Sequence, residues 1–338
     1  MKAIANTGPN QLEMLEIPLP EPGPGQVRIR TGACGICATD LQMIAGWPGT
    51  RPRTGFRGEE FPGVPGHEWA GHVDALGAGV TADWLGRRCV AENVLSDGGE
   101  VGFEHPGGYG QYFLTEAANL HALPDDFPLA TAALIEPLAV CARARRRLRL
   151  PGSAADLPVL ILGDGPIGLL MLMLLRREGM QLLYLLGGRA QRLGLARQLG
   201  ASLAINYHTI EDNLAAGVLQ ATAETSFQGA FAVVVEASGS PAAMQASLQL
   251  AAPGGRIGVL GDYGAARADF TWNHLLHREI ELIGSNASAS AWPEAVSLAV
   301  GGLPLDRLIS HRLPAERFQD GLALARQRGA AIKVILEW

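Results

Sequence analysis

Residues 158–175, PVLILGDGPIGLLMLMLL, decide the fold. The run has the length of a short membrane span, but Gly163, Asp164 and Gly165 break it. It therefore reads as a buried strand at 159–162, a glycine turn and a helix. Gly163-Asp164-Gly165-Pro166-Ile167-Gly168 fits G-x-G-x-x-G, and Pro166 suits a first helical position, where a missing N–H costs no hydrogen bond. In this setting the first glycine permits the tight turn, the second lets backbone approach a pyrophosphate, and the third lets helix and strand pack closely. Unpaired N–H groups at the helix start then face the anion. Gly163, Gly165, Pro166, Ile167 and Gly168 are read as a dinucleotide site rather than a ligand-free turn because strand and helix flank the motif.

Downstream, apolar runs at 182–186, 203–205, 231–235, 256–260 and 281–284 alternate with helical stretches, one opened by Ser240-Pro241 as cap and first-turn proline. With the strand at 159–162 they make one doubly wound parallel sheet. The ribose hydroxyls of NAD require an acid about 20 residues beyond the glycine turn, at the end of the next strand. Gly187 stands there instead. Without a carboxylate to repel it, a 2′-phosphate can be held by Arg189 and Arg192 through charge-assisted hydrogen bonds. NADP is the expected cofactor, with NAD as the alternative; the plainer reading makes both arginines solvated charges.

Upstream, to about residue 145, the chain is rich in Gly and Pro and in alternating runs such as Gln26-Val27-Arg28-Ile29-Arg30, so a mostly β domain is expected. A length of 338 residues suits two domains. From about residue 285 a helix near 292–299 and an apolar strand at 332–336 are expected to fold back onto the first domain. The net charge of -6 gives no broad attraction to nucleic acid or anionic membrane. The basic run Arg143, Arg145, Arg146, Arg147 and Arg149 has no interleaved aromatics and reads as a solvated helix face. The opening MKAIANTGPNQLEMLEIP lacks a basic segment leading into an apolar one, and four cysteines are too few for a disulfide scaffold. A cytoplasmic location is expected, with any working cysteine a metal ligand or nucleophile.

Three segments carry groups suited to zinc: Gly35-Ile36-Cys37-Ala38-Thr39-Asp40, Gly66-His67-Glu68-Trp69-Ala70-Gly71 and Glu136-Pro137-Leu138-Ala139. A catalytic zinc takes about three protein ligands and keeps a further position open, a count met by Cys37, His67 and either Glu136 or Glu68. Cys34 and Cys37 as a redox pair would lack a second pair or thioredoxin-like surroundings, so Cys34 reads as packing. In this order ahead of the glycine turn, the segments resemble the medium-chain zinc alcohol dehydrogenase family, nearest its sorbitol and threonine dehydrogenase branch. Leu123-Pro124-Asp125, Val235-Glu236-Ala237-Ser238-Gly239, Pro253-Gly254-Gly255-Arg256 and Lys333-Val334-Ile335-Leu336 extend the likeness over nearly the whole chain.

The resemblance implies an α/β protein with a mostly-β GroES-like catalytic domain, residues 1–145 and 285–338, around an inserted Rossmann domain, residues 146–284, and an active site in the cleft between them. It implies one catalytic zinc on Cys37 and His67, with Glu68 or Glu136 as the carboxylate. Thr39 falls on the hydroxyl that bonds the substrate oxygen and starts the proton relay, and Asp40 on a supporting contact. The implied reaction is hydride transfer between a nicotinamide and a secondary alcohol or ketone, such as a sugar, polyol or amino alcohol, in a homodimer or homotetramer. Two departures stand out. Gln42 occupies a position where the family often has a proton-carrying histidine, and residues 91–112 contain none of the four cysteines of a structural-zinc lobe, so one metal per chain is expected. Glu104-His105, in that stretch, reads as a loop salt contact. The rival readings are a zinc-independent quinone or enone reductase of the same fold, with no need of Cys37, His67 and Glu136 together, and a dinucleotide-binding protein without hydride transfer.

Overall fold

The computed structural model describes residues 1–46, 63–150, 155–211, 213–223, 225 and 229–338. They form two compact units, Met1–Ala139 with Ala289–Trp338, and Val140–Ser288. In the first, β1 (Lys2–Gly8) and β2 (Gln11–Glu16) make an antiparallel ribbon. There follow β3 (Gln26–Gly35), α1 (Ala38–Ile44), β4 (Glu68–Leu76), β5 (Arg88–Ala91), β6 (Tyr112–Glu116), β7 (Leu120–Ala122), α2 (Leu129–Ala132) and α3 (Ile135–Arg147).

The second unit holds β8 (Val159–Leu162), α4 (Pro166–Arg177), β9 (Leu183–Gly187), α5 (Ala190–Gln198), β10 (Leu203–Asn206), α6 (Leu214–Ala223), β11 (Phe231–Glu236), α7 (Pro241–Leu250), β12 (Ala251–Val259), α8 (Asn273–Arg278) and β13 (Glu281–Gly284). Its six strands are parallel in the order β10-β9-β8-β11-β12-β13. Chain direction across the sheet reverses beside β8, so the glycine turn leaves the sheet at its switch point, where such folds bind ligands. The membrane-like run of the sequence divides into β8, buried at every residue, and α4, buried continuously from Gly168 to Leu175. A helix apolar all round is a core helix. No helix among the described residues is long and apolar enough to cross a membrane.

β12 begins five residues before the expected strand. Pro253 and the positive φ of Gly254 break the ladder locally, yet Ala251 already pairs with Phe231 before the register shifts. Ser240 precedes α7 with Pro241 at its start as expected, but its side chain makes no capping hydrogen bond. The arginine run is not a plain solvated face. Arg145 pairs with Glu178 at 2.7 Å, Arg147 donates to the Gly284 carbonyl at 2.6 Å, and Arg149 bonds Glu281.

The chain returns to the first unit through α9 (Trp292–Val300), β14 (Ile309–Pro314), α10 (Phe318–Arg326) and β15 (Lys333–Glu337). The sheet order there is β14-β15-β3-β4-β5-β7, with β6 also paired to β3. On β3, Val27, Ile29 and Thr31 are buried while Arg28 is partly exposed and Arg30 exposed, the alternation of a sheet with one face on a core. Trp69, Val73 and Phe113 fill the same core. The mostly-β unit and the doubly wound unit are the architecture expected from the sequence.

Candidate functional site

Beyond Gly35 the chain turns through Ile36 and Cys37 into α1. The Cys37 N–H donates to Asp40 Oδ2 at 2.8 Å, so a buried aspartate three residues on caps the helix. Glu68 opens β4 opposite Gly35, where any Cβ would strike the Glu68 carboxylate; the glycine makes room for it. Asn93 donates to the His67 carbonyl at 2.8 Å and accepts from Trp69 Nε1 at 2.9 Å, tying the backbone before Glu68 to the indole after it. These supports bring ligand atoms of Cys37, His67 and Glu68 within 4.8 Å of one another.

His67 Nδ1 lies 3.1 Å from Asp40 Oδ1, an ion-pair contact off the line of a hydrogen bond, which leaves Nε2 for a metal. Burial works against a charged imidazole there, but Asp40 and then Cys37 outweigh it and raise the pKa well above the ordinary value. Glu136, buried in the first turn of α3, stands outside the 4.8 Å group. Burial is the main cause that pushes its carboxyl up to about 7; His67 opposes the shift, Glu68 adds to it and Lys333 opposes. A thiol, an imidazole and several buried carboxylates form a donor set suited to zinc, and a divalent cation would answer the local excess of acid. The Cys37 thiol donates to Thr39 Oγ1 at 3.6 Å.

Sequence reasoning assigned no role to Lys333. It is buried, and its Nζ donates to both Glu68 oxygens at 2.7 and 2.6 Å and to the Ile36 carbonyl at 3.4 Å. The available signal was a lysine opening an otherwise apolar strand, since a buried ammonium requires a carboxylate. Tyr109, which donates to Asp40 Oδ2 at 3.3 Å, and Asn93 carried no such signal. Cys34 is packing: it is buried, and burial is the largest cause raising its thiol pKa. His105 makes its loop contact with Asp97 at 2.9 Å.

In the second unit, Gly163 has φ 126°, and a Cβ on Gly168 would strike the Gly163 carbonyl. A Cβ on Gly165 would meet nothing within 4 Å, leaving open space in front of the α4 start. Gly187 ends β9, followed by Arg189 and Arg192 at the start of α5. The sequence reading gave both arginines to a 2′-phosphate, with solvated charges as the plainer alternative; here they meet a carboxylate. Asp164 Oδ1 accepts from Arg189 Nη1 at 2.9 Å and lies 3.6 Å from Arg192 Nη1.

Residues 23–125 match the family described as alcohol dehydrogenase GroES-like domain, and residues 166–301 that described as zinc-binding dehydrogenase. The chain is 30% identical over 357 aligned positions to an L-threonine 3-dehydrogenase of Saccharopolyspora erythraea, covering 100% of this chain and 99% of that one. It is similar to the solved 2R,3R-butanediol dehydrogenase of Bacillus subtilis, at 25% identity and TM-score 0.87 over 100% of this chain and 99% of that one. A Sinorhizobium meliloti protein described as a zinc-binding dehydrogenase, bound to NADP, is 26% identical with TM-score 0.87 over the same shares. A glycine-turn Rossmann unit joined to a GroES-like unit with a thiol–imidazole–carboxylate group defines a nicotinamide-dependent alcohol dehydrogenase. The chain belongs to the zinc-dependent medium-chain alcohol dehydrogenase family.

Proposed function

We propose that this enzyme interconverts a secondary alcohol and its ketone, the substrate being a polyol, sugar or amino alcohol, with one zinc per chain and NADP preferred over NAD. The grouping of Cys37, His67 and Glu68 ligand atoms within 4.8 Å carries the reading. The substrate class is supported by the relatives: threonine and butanediol each bear a secondary hydroxyl beside a second polar carbon.

Bound zinc supplies a Lewis acid for the hydroxyl or carbonyl oxygen, and the nicotinamide supplies the hydride acceptor or donor. Cys37 Sγ and His67 Nε2 hold the ion, and Asp40 orients the imidazole. Glu68 and Glu136 are the two carboxylates available as third ligand, and Glu68 is the one already grouped with Cys37 and His67. The Thr39 hydroxyl accepts the substrate proton as it hands its own on to water or the cofactor ribose. Gln42, one turn further along α1, has no titratable group, so the proton leaves Thr39 by another route. Gly163, Gly165, Pro166, Ile167 and Gly168 receive the pyrophosphate, while Gly187, Arg189 and Arg192 favour a 2′-phosphate.

The same reading has the enzyme in the cytoplasm as a homodimer or homotetramer. Exposed Trp272 just before α8, Leu276 on α8 and Leu282 on the edge strand β13 support assembly. An absorbance screen at the reduced-nicotinamide band, with both cofactors and a panel of alcohols and ketones, tests the proposal on protein of known zinc content. Turnover undiminished by complete metal removal would end it in favour of a zinc-independent reductase.

A further inference from the structure

The acid missing from the end of β9 has a counterpart in the same space. A Cβ built on Gly187 would lie 2.5 to 2.8 Å from the Cβ, carboxyl carbon and Oδ2 of Asp164. Position 187 thus has room for no side chain while Asp164, the second residue of the glycine turn, fills its place. We propose that Asp164 is a positioning residue for cofactor choice, holding Arg189 and Arg192 so that the adenosine end accepts a 2′-phosphate and not bare ribose hydroxyls. Resting on the NADP reading above, this role adds the residue that enforces it.

The hydrogen bonds decide between two uses of the carboxylate. An ionised carboxylate offers about four acceptor positions. Asp164 Oδ2 accepts from the Gly188 and Arg189 N–H groups at 2.9 Å each, and Oδ1 accepts from Arg189 Nη1 at 2.9 Å with Arg192 Nη1 at 3.6 Å. Three of these positions are therefore committed to the loop and the fourth faces the Arg192 guanidinium, which leaves no pair of acceptors for the two ribose hydroxyls that a strand-end acid would take. Side-chain exposure agrees: 3% for Asp164, against 31% for Arg189 and 14% for Arg192. The carboxylate faces inward and the guanidinium groups keep solvent-facing area. Two arginines against one aspartate leave a net positive charge, suited to phosphate.

Calorimetric titration of the full chain with 2′,5′-ADP and with 5′-AMP tests this without turnover. Wild type is expected to bind 2′,5′-ADP at least about tenfold more tightly. Equal affinities would overturn the NADP reading itself. Asp164→Asn weakens the side-chain hold on both arginines, Arg192 keeping only its contact with the backbone carbonyl of residue 164 at 3.5 Å, but it also removes a negative charge near the ligand phosphate, so the sign of the change is decisive. The 2′,5′-ADP preference is expected to fall by about tenfold. A preference kept or increased, with wild type still selective, overturns the positioning role and leaves the NADP reading standing. Gly187→Ala keeps every charge and forces Asp164 aside by its methyl group, so the same fall is expected. An undiminished preference in that variant would equally overturn the role.

Discussion

Lys333→Met probes the support of the metal centre. Lys333 and Glu68 form a pair whose side chains are 3% and 2% exposed, with Nζ 2.6 Å from Oε2 and 2.7 Å from Oε1. Removing one partner of a buried pair leaves an uncompensated charge and costs about 3–5 kcal/mol. Methionine keeps the length of the side chain, so the lost charge dominates over any lost packing. For a folding unit of ~200 residues each kcal/mol moves the melting temperature by about 2–4 °C, so the metal-free variant should melt about 6–20 °C lower. Zinc on Glu68 would replace the ammonium as its partner, and adding zinc should recover part of the loss. The double variant Glu68→Gln/Lys333→Met buries no unpaired charge and should melt above the single variant. Differential scanning calorimetry, with and without zinc, reads all three. A metal-free single variant within about 2 °C of wild type, or a double variant less stable than the single one, would refute the reasoning.

Three further outcomes follow from the same geometry. Cys34 and Cys89 are buried, burial pushing the Cys89 thiol up to about 12, and Cys141 is buried too, whereas Cys37 is partly exposed. Mass spectrometry after brief thiol labelling of the metal-free native protein should place the first adduct on Cys37, and zinc should block it; first labelling of Cys89 would contradict the burial pattern. Asp40→Asn removes the charge beside His67 Nδ1, and zinc affinity, measured by competition with a coloured chelator, should drop about 10–100-fold. Thr39→Val should retain zinc while turnover falls by about 10²–10⁴-fold; full turnover would remove Thr39 from the proton path.

The doubly wound unit was legible because its strands are continuous apolar runs, such as Val159–Leu162 and Phe231–Glu236, buried on both faces and punctuated by Gly and Pro. The start of β12 was not, since Pro253 and Gly254 look like a break and a bulge leaves no periodic trace. In the first unit, alternation showed which residues of β3 face the core but could not show that β15, some 300 residues later, is its neighbour, with Leu336 opposite Cys34. That pairing is what carries Lys333 to Glu68. The ligand-type residues were legible by chemistry and order. Their supports were not: Asp164 stood as a spacer within a glycine motif, and only the folded chain shows it in the place left by Gly187. The arginine run misled because charge density says nothing of partners, and Glu178 and Glu281 lie far along the sequence from it.

Zinc content and alcohol-dependent reduction of the nicotinamide, measured on the same preparations of wild type and Cys37→Ser, bear most directly on the metal centre. Wild type should carry about one zinc per chain and be active, and the variant should lose metal and turnover together while still binding 5′-AMP. A variant that keeps its zinc in full, or one that turns over at the wild-type rate without any, would show that Cys37, His67 and a neighbouring carboxylate do not form the reacting centre.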